Sequence, residues 1–571
     1  MDGGELLSNF EEEHQVAHRL MTPELELAEL PPLETIRRPR ARLIRGTSRH
    51  DKATLALFTI TLFTSSSLLF LIQPMFAKMV LPLLGGTPAV WNTSMVFFQA
   101  ALLLGYAYSH FGVNRLGLRR QALIHIAIVI GPLLLLPIAV PDGWTPPSEG
   151  TPILWLLLLL TVSLGLPFFA VSTTAPLLQK WFANTGHPAG KDPYFLYGAS
   201  NMGSMLALLS YPALMEPRLA LASQSRFWMV GYLVLATGVS ACAAMVLRAS
   251  RRDIAEAEPN RDVADEVNRG PVTAMRRLKW IAFAFVPSSF MLAVTTHLST
   301  DIAAIPLLWV IPLALYLLTF ILVFSPRPVS PRWPARLQPA VVIVLVMFML
   351  SGGANLAKPL LIGLPLLAFF ITALVCHAQL AADRPSTRHL TEFYLWMAVG
   401  GVLGGIFNAL VAPVVFDRIY EYPMAIVLGC MLAPALSSKT FRSLTNRKRL
   451  RRLILPAGVI ALGVALISAK GLLVVGGSAL GLAVALMLCA LLIHRPMSFG
   501  AAIGAVIIAA TATLGDGSRV LYTGRTFFGV HKVVDDGSFH RFRHGTTLHG
   551  LQSTDSDRRL RGPVRGVRVR R

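Results

Sequence analysis

Runs of apolar residues about 20 long recur along most of the chain, each the length a helix needs to cross the hydrocarbon of a bilayer. They fall near 53–73, 88–110, 121–141, 152–174, 194–215 and 226–247, and, after a charged loop over 248–279, near 280–298, 302–324, 338–353, 359–380, 391–413 and 419–437. A basic stretch over 438–452 is followed by weaker Gly/Ala-rich runs near 453–469, 471–493 and 499–514. The pattern predicts an all-α polytopic membrane protein with 14–15 transmembrane helices, built around a six-plus-six core. Two or three further C-terminal helices and a short β-like tail complete it. The corresponding segments are a disordered N-terminal tail over 1–52, two six-helix halves over 53–247 and 280–437 joined by the 248–279 loop, extra helices over 438–515, and the tail over 516–571.

The polar positions agree. Only 14% of the residues are charged and 54% are hydrophobic, against about 25% charged in soluble domains. That excludes intrinsic disorder and an ordinary soluble enzyme. The net charge of +22 would suggest a nucleic-acid partner in a soluble protein. Here the basic residues sit in alternate loops: Arg115, Arg119 and Arg120; Arg248, Arg251, Arg252, Arg276, Arg277 and Lys279; Arg327, Arg332 and Arg336; and Arg442 to Arg452. The intervening 142–151 loop carries only Asp142 and Glu149 as charges. Positive residues mark cytoplasmic loops, so the expectation is a multi-pass inner-membrane protein with a cytoplasmic N-terminus, the lipid bilayer as its partner and no nucleic acid. The basic 516–571 tail conflicts with an odd number of spans, which would place it outside. No short apolar core with a cleavage site opens the chain, so a signal peptide is not expected. Cys242, Cys376, Cys430 and Cys489 all lie in apolar runs and suggest neither disulfides nor a metal site; no cofactor is implied.

The two halves echo each other. Phe168-Phe169 recurs as Phe369-Phe370, Gly203-Ser204 as Gly404-Gly405 and Pro212 as Pro413, each 201 residues on. Ser66-Ser67 before Lys78 is matched more loosely by Ser288-Ser289 before Asp301. Parallel six-helix repeats build major facilitator transporters. The loop Gly112–Arg120 resembles a degenerate form of that superfamily's cytoplasmic loop motif, with Asn114 in place of its acid.

Ionisable groups at membrane depth are costly, and each is a functional candidate. These are Lys78, His297, Asp301, His377 and Glu392, joined by the polar Gln73, Gln99, Asn201 and Asn408. If the repeat holds, Lys78 and Asp301 are symmetry mates able to pair across a central cavity. The alternative is that both lie at the interface, with Lys78 reaching out to headgroups. The run Gly400-Gly401-Val402-Leu403-Gly404-Gly405 lies in an apolar helix and reads as close helix packing, not a nucleotide loop.

Four stretches, Leu71–Lys78, Pro167–Pro176, Thr296–Ala304 and His389–Trp396, resemble the bacterial membrane-fused spermidine synthase-like proteins, in which a facilitator-like membrane region precedes an aminopropyltransferase-like domain. Arg525–Val533 and His544–Gln552 resemble the opening strands of that domain, and Gln552 stands where the family has an early substrate-contacting Gln. The resemblance implies a polyamine-related role. Only 19 residues follow Gln552, so the catalytic core that aminopropyl transfer needs is not expected in this chain and no catalytic residue is assigned. Two functions follow: the membrane part of a spermidine synthase-like system lacking its catalytic core, or a facilitator-type secondary transporter of a small organic solute, with a cation or polyamine suggested by the resemblance.

Overall fold

Backbone N–H and C=O groups find no partner in hydrocarbon, so a spanning segment must satisfy them internally, as a helix does. The apolar runs fold accordingly. The computed structural model describes residues 49–148, 151–191, 193–248, 271–302, 307–325, 328–350, 358–434, 477–513, 519–545 and 547–555. The helices are α1 (Arg49–Leu84), α2 (Pro88–Ile130), α3 (Ile153–Ala183), α4 (Phe195–Ser210) and α5 (Leu221–Arg248), then α6 (Ala274–His297), α7 (Val310–Phe324), α8 (Arg332–Leu350), α9 (Lys358–Ala382), α10 (Leu390–Ile406) and α11 (Glu421–Met431), and finally α12 (Gly477–Ala490) and α13 (Pro496–Thr513). Among the described residues eight helices are long and apolar enough to span a membrane, and four shorter apolar helices accompany them.

α2 holds two of the expected spans. Gly117 sits at φ 70°, ψ 164°, a left-handed conformation open to glycine. The side chain of Gln121 donates to the carbonyl of Ser109 at 3.5 Å. In a straight helix those residues would lie about 18 Å apart, so the chain reverses at Gly117. Other boundaries move. The span expected over 302–324 begins its helix only at Val310, and that expected over 419–437 is the short Glu421–Met431. The run expected over 453–469 lies outside the described residues.

α4 and α10 both end in a wide π-turn, Tyr211–Met215 and Phe407–Val411, next to Pro212 and Pro413. Proline cannot donate into the i→i−4 ladder, and a π-turn is a common local accommodation. The echo between the halves therefore has a backbone counterpart. Gly400 and Gly404 bring α10 against α6: a Cβ on Gly404 would stand 2.8 Å from the carbonyl oxygen of Phe285. Close backbone approach of this kind is how membrane helices bind one another in the absence of a hydrophobic driving force.

The tail is an antiparallel meander, β1 (Arg519–Thr526), β2 (Gly529–Asp535), β3 (Phe539–His544) and β4 (Thr547–Ser553), in sequential order. It rests on the bundle through Arg525 and, at Gly545, against Thr300 in the π-turn after α6. The end of the bundle that holds Thr300 and Glu421 is the Glu421 rim; the end where α6 and α10 begin is the Glu392 rim.

Candidate functional site: a polar cavity between two sets of helices

α1 to α4 on one side and α6, α7 and α10 on the other wall a cavity of about 160 Å³. Its polar surface comes from small groups at helical spacing inside apolar spans. Ser66 and Gln73 lie seven residues apart on α1, and Ser200 and Ser204 lie four apart on α4, each pair on a single face. Ser65, Gln99, Ser172 and Asn201 add to this surface, and Phe98, Phe168, Tyr197 and Phe320 supply aromatic faces. The wall as described holds no Asp, Glu, Lys, Arg or His.

Contacts between the two sets occur on both sides of the cavity. Toward the Glu421 rim the rings of Trp91 and Trp309 stack with centroids 3.4 Å apart, and Asn92 donates to Thr296 at 3.0 Å. Beside the cavity Gln99 donates to Ser288 at 3.0 Å. Toward the Glu392 rim Tyr394 donates to Gln179 at 2.8 Å, Tyr194 donates to the carbonyl of Pro385 at 3.2 Å, and His110 and Thr391 share a hydrogen bond of 3.0 Å.

Gln73, Gln99 and Asn201 are thus brought together in the wall; Lys78, His297, His377 and Glu392 stand elsewhere. Lys78 forms an ion pair with Glu216, at 2.5 Å and partly exposed. The expected Lys78–Asp301 pair is therefore corrected for Lys78: its partner belongs to the turn after α4, on its own side of the molecule, and the Asp301 side chain is not among the described ones. His297 stacks on Tyr422 at 4.5 Å. His377 is fully buried behind Phe320, whose ring it stacks at 3.8 Å. Thr319 gives its proton to the carbonyl of Tyr316 and lies 2.6 Å from Nδ1 of His377. The imidazole must therefore be the donor there, leaving Nε2 without a partner. Asn408 donates to Ser289 at 2.7 Å. Glu392 accepts from Arg277 at 2.7 Å and pairs with His389 at 2.8 Å. Beside it Arg276 and Trp280 both bond Asp383, at 3.0 and 2.8 Å. These charges tie α6, α9 and α10 at the rim, which explains why Glu392 is conspicuous in the sequence although it lies outside the cavity wall. Gln552 is exposed on β4, opposite His540.

Sequence reasoning missed Glu216, the Glu421–Arg525 pair and the wall serines. The serines had a signal, their i, i+4 and i+7 spacing. The two acids had none beyond being charges near the ends of apolar runs.

No protein-family model matches the chain, and no match was found among curated proteins. Solved structures similar to it include the inward-open xylose transporter XylE from E. coli, at 13% identity, covering 69% of this chain and 99% of that one, with a TM-score of 0.41. The human organic anion transporter MFSD10 aligns at 14% identity over 67% of this chain and 97% of its own, with a TM-score of 0.42. A mutant form of the peptide transporter POT aligns at 15% identity over 66% of this chain and 93% of its own, with a TM-score of 0.40. Likenesses this loose identify neither a family nor a solute.

Proposed function

We propose that this chain is a secondary transporter of facilitator type, carrying a small organic solute through the cavity between its two sets of helices. One observation carries the reading: the polar cavity is walled by both sets, and contacts between the sets, not within one, lie on either side of it. A site at the interface of two quasi-repeated bodies that rock against one another is how alternating access works. The Trp91–Trp309 stack on one side and the Tyr394–Gln179 and Tyr194–Pro385 bonds on the other are contacts that must break in turn. The inner membrane, with the N-terminus in the cytoplasm, is the location this reading takes from the loop charges. The spermidine synthase-like reading has weaker support, since the one substrate contact it offered, Gln552, lies on the tail sheet and away from this cavity.

The test is transport after cross-linking. The double variant Trp91→Cys/Trp309→Cys, reconstituted in proteoliposomes, should carry solute when reduced and stop when a short bifunctional maleimide joins the two positions. The corresponding single variants should be unaffected by the reagent. Solute flux that continues at the uncross-linked rate in fully cross-linked protein would refute the mechanism.

A further inference from the structure

Resting on the transporter reading, we infer that the solute is a small, uncharged polyhydroxylated molecule, and that Gln73 is a residue that selects it. The inference comes from where the protons of the cavity wall go. Ser65 donates to the carbonyl of Val171 at 3.2 Å, Ser172 to that of Phe169 at 2.8 Å and Ser204 to that of Ser200 at 3.2 Å. A backbone carbonyl can only accept, so each of these hydroxyls has spent its hydrogen and keeps only lone pairs. Ser66 and Ser200 hydrogen-bond each other, which leaves one proton between them to offer elsewhere.

The amides are oriented by the same logic, which settles which end is oxygen and which nitrogen. Gln73 lies 3.2 Å from the carbonyl of Leu69 and must present its NH₂ there. Asn201 does so to the carbonyl of Tyr197 at 2.8 Å. Ser288 gives its proton to the carbonyl of Gly401 at 2.9 Å, so toward Gln99, at 3.0 Å, it can only accept. The carbonyl oxygens of Gln73 and Gln99 are consequently left without any donor, both buried in the bundle. Buried polar atoms in native proteins are nearly always bonded. The Gln99 oxygen packs against Gly405, a residue of α10 that does not line the cavity, whereas Gln73 belongs to the wall and its orphaned acceptor marks a donor that arrives from outside the chain.

The wall thus offers lone pairs from its serine and amide oxygens, and protons from the remaining amide N–H groups and the hydroxyls of Tyr106, Tyr197 and Tyr316, which also line it. Its complement is a molecule with several O–H groups, which donate to the amide and serine oxygens and still accept the remaining N–H and O–H. Charge narrows the class. A buried ion needs a counter-charge, and the described wall contains none, which argues against the polyamine or other cation that the sequence resemblance suggested. Phe98, Phe168 and Phe320 provide flat apolar surface for the C–H faces of a carbon chain. Size narrows it further, since a buried apolar cavity of about 150 Å³ accommodates a benzene-sized ligand. A polyol of four or five carbons is of that order.

The experiment uses the full chain in detergent micelles, with erythritol, xylitol and spermidine as probes. Xylitol or erythritol at millimolar concentration should raise Tm, and spermidine should leave it unchanged. In Gln73→Leu the polyol Kd should rise at least tenfold. Gln73→Asn, which keeps an amide but draws it back by one methylene, should fall between. A spermidine shift, the absence of any polyol shift in the wild type, or wild-type polyol affinity in Gln73→Leu would each overturn the inference. If Gln73→Leu does not fold, the wild-type comparison of polyol with spermidine decides alone. Counterflow in proteoliposomes separates this from the parent reading. Polyol binding without flux would sink the transporter and spare the site chemistry; flux of a charged solute with no polyol binding would do the reverse.

Discussion

Glu421 and Arg525 are 1% and 8% exposed at their side chains, which removes both charges from water. The guanidinium meets the carboxylate with both terminal nitrogens, at 2.6 and 3.1 Å, and one of them also donates to the carbonyl of Arg418 at 2.9 Å. Removing one member of such a pair strands the other, at a cost of about 3–5 kcal/mol, whereas replacing both by apolar groups of similar size is often neutral. Glu421→Gln should therefore lower Tm and expose the sheet to trypsin, and Glu421→Met/Arg525→Met should recover most of the loss. Equal protease resistance in wild type and Glu421→Gln would show that the pair does not hold the sheet. The Lys78–Glu216 pair is a useful contrast. Its side chains are 26% and 29% exposed, and solvent-screened pairs of this kind contribute about 0–1 kcal/mol. Nothing in the sequence distinguishes the two pairs. The burial that separates them by a factor of several in energy is created by docking of residues 104 positions apart.

At the scale of elements the sheet has its own acid sensitivity. His531 on β2 stacks on His544 of β3 at 4.7 Å, and His544 lies 5.6 Å from His549 of β4, while Thr526 of β1 bonds the other side of the His531 ring at 3.2 Å. Burial, then the neighbouring His544 and His549, push the His531 pKa below its ordinary value. The folded sheet thus prefers the neutral ring, and the unfolded chain takes up the proton first, near pH 6.5. Stability is therefore complete above about pH 6.5 and declines as pH falls below it. Asp536 adds a second, more acidic window. The backbone N–H groups of Phe539 and Ser538, and then Arg541, hold its carboxyl below the usual range, so its contribution is present above about pH 3.9 and lost as pH falls below that value. Protection factors of the β2 and β3 amides, corrected for intrinsic exchange, should fall between pH 7 and 5.5, and His531→Phe should flatten that response. An unchanged pH profile in His531→Phe would remove the histidine cluster as its cause. The helices behave differently: their existence is plain from apolar run length, but their ends are not. Gly117 reverses α2 where the charge pattern suggests a loop, and the start of α7 shifts to Val310 although the apolar run begins earlier.

At the scale of the molecule the structure bears on a conflict that the loop charges leave open. α6 begins at the Glu392 rim and ends at the Glu421 rim, about 36 Å away for 24 residues. The sheet touches Thr300, Arg418 and Glu421, all at the far end. The described sheet therefore lies at the end opposite Arg276 and Arg277. With the positive loops cytoplasmic, a membrane-impermeant maleimide added to intact cells should label Leu551→Cys and spare Thr273→Cys. Labelling of both, or of Thr273→Cys alone, would refute the arrangement.

What the sequence determined by itself is set by properties that act over one helix or less. The hydrophobic content and run lengths specified a helical membrane protein, and the glycines 400 and 404 specified a close helix contact, because desolvation and backbone satisfaction are local demands; strands in the tail are expected only from the family resemblance. Tertiary structure decided what lies between helices: which of Gln73, Lys78, Gln99, Asn201, His297, His377 and Glu392 share a cavity, and which acid Lys78 meets. Those outcomes depend on the rotation of each helix about its axis and on which helices become neighbours. A side chain four residues away on the same helix is visible in the sequence, whereas the donor that satisfies it, or fails to, is supplied by a segment that sequence spacing does not locate.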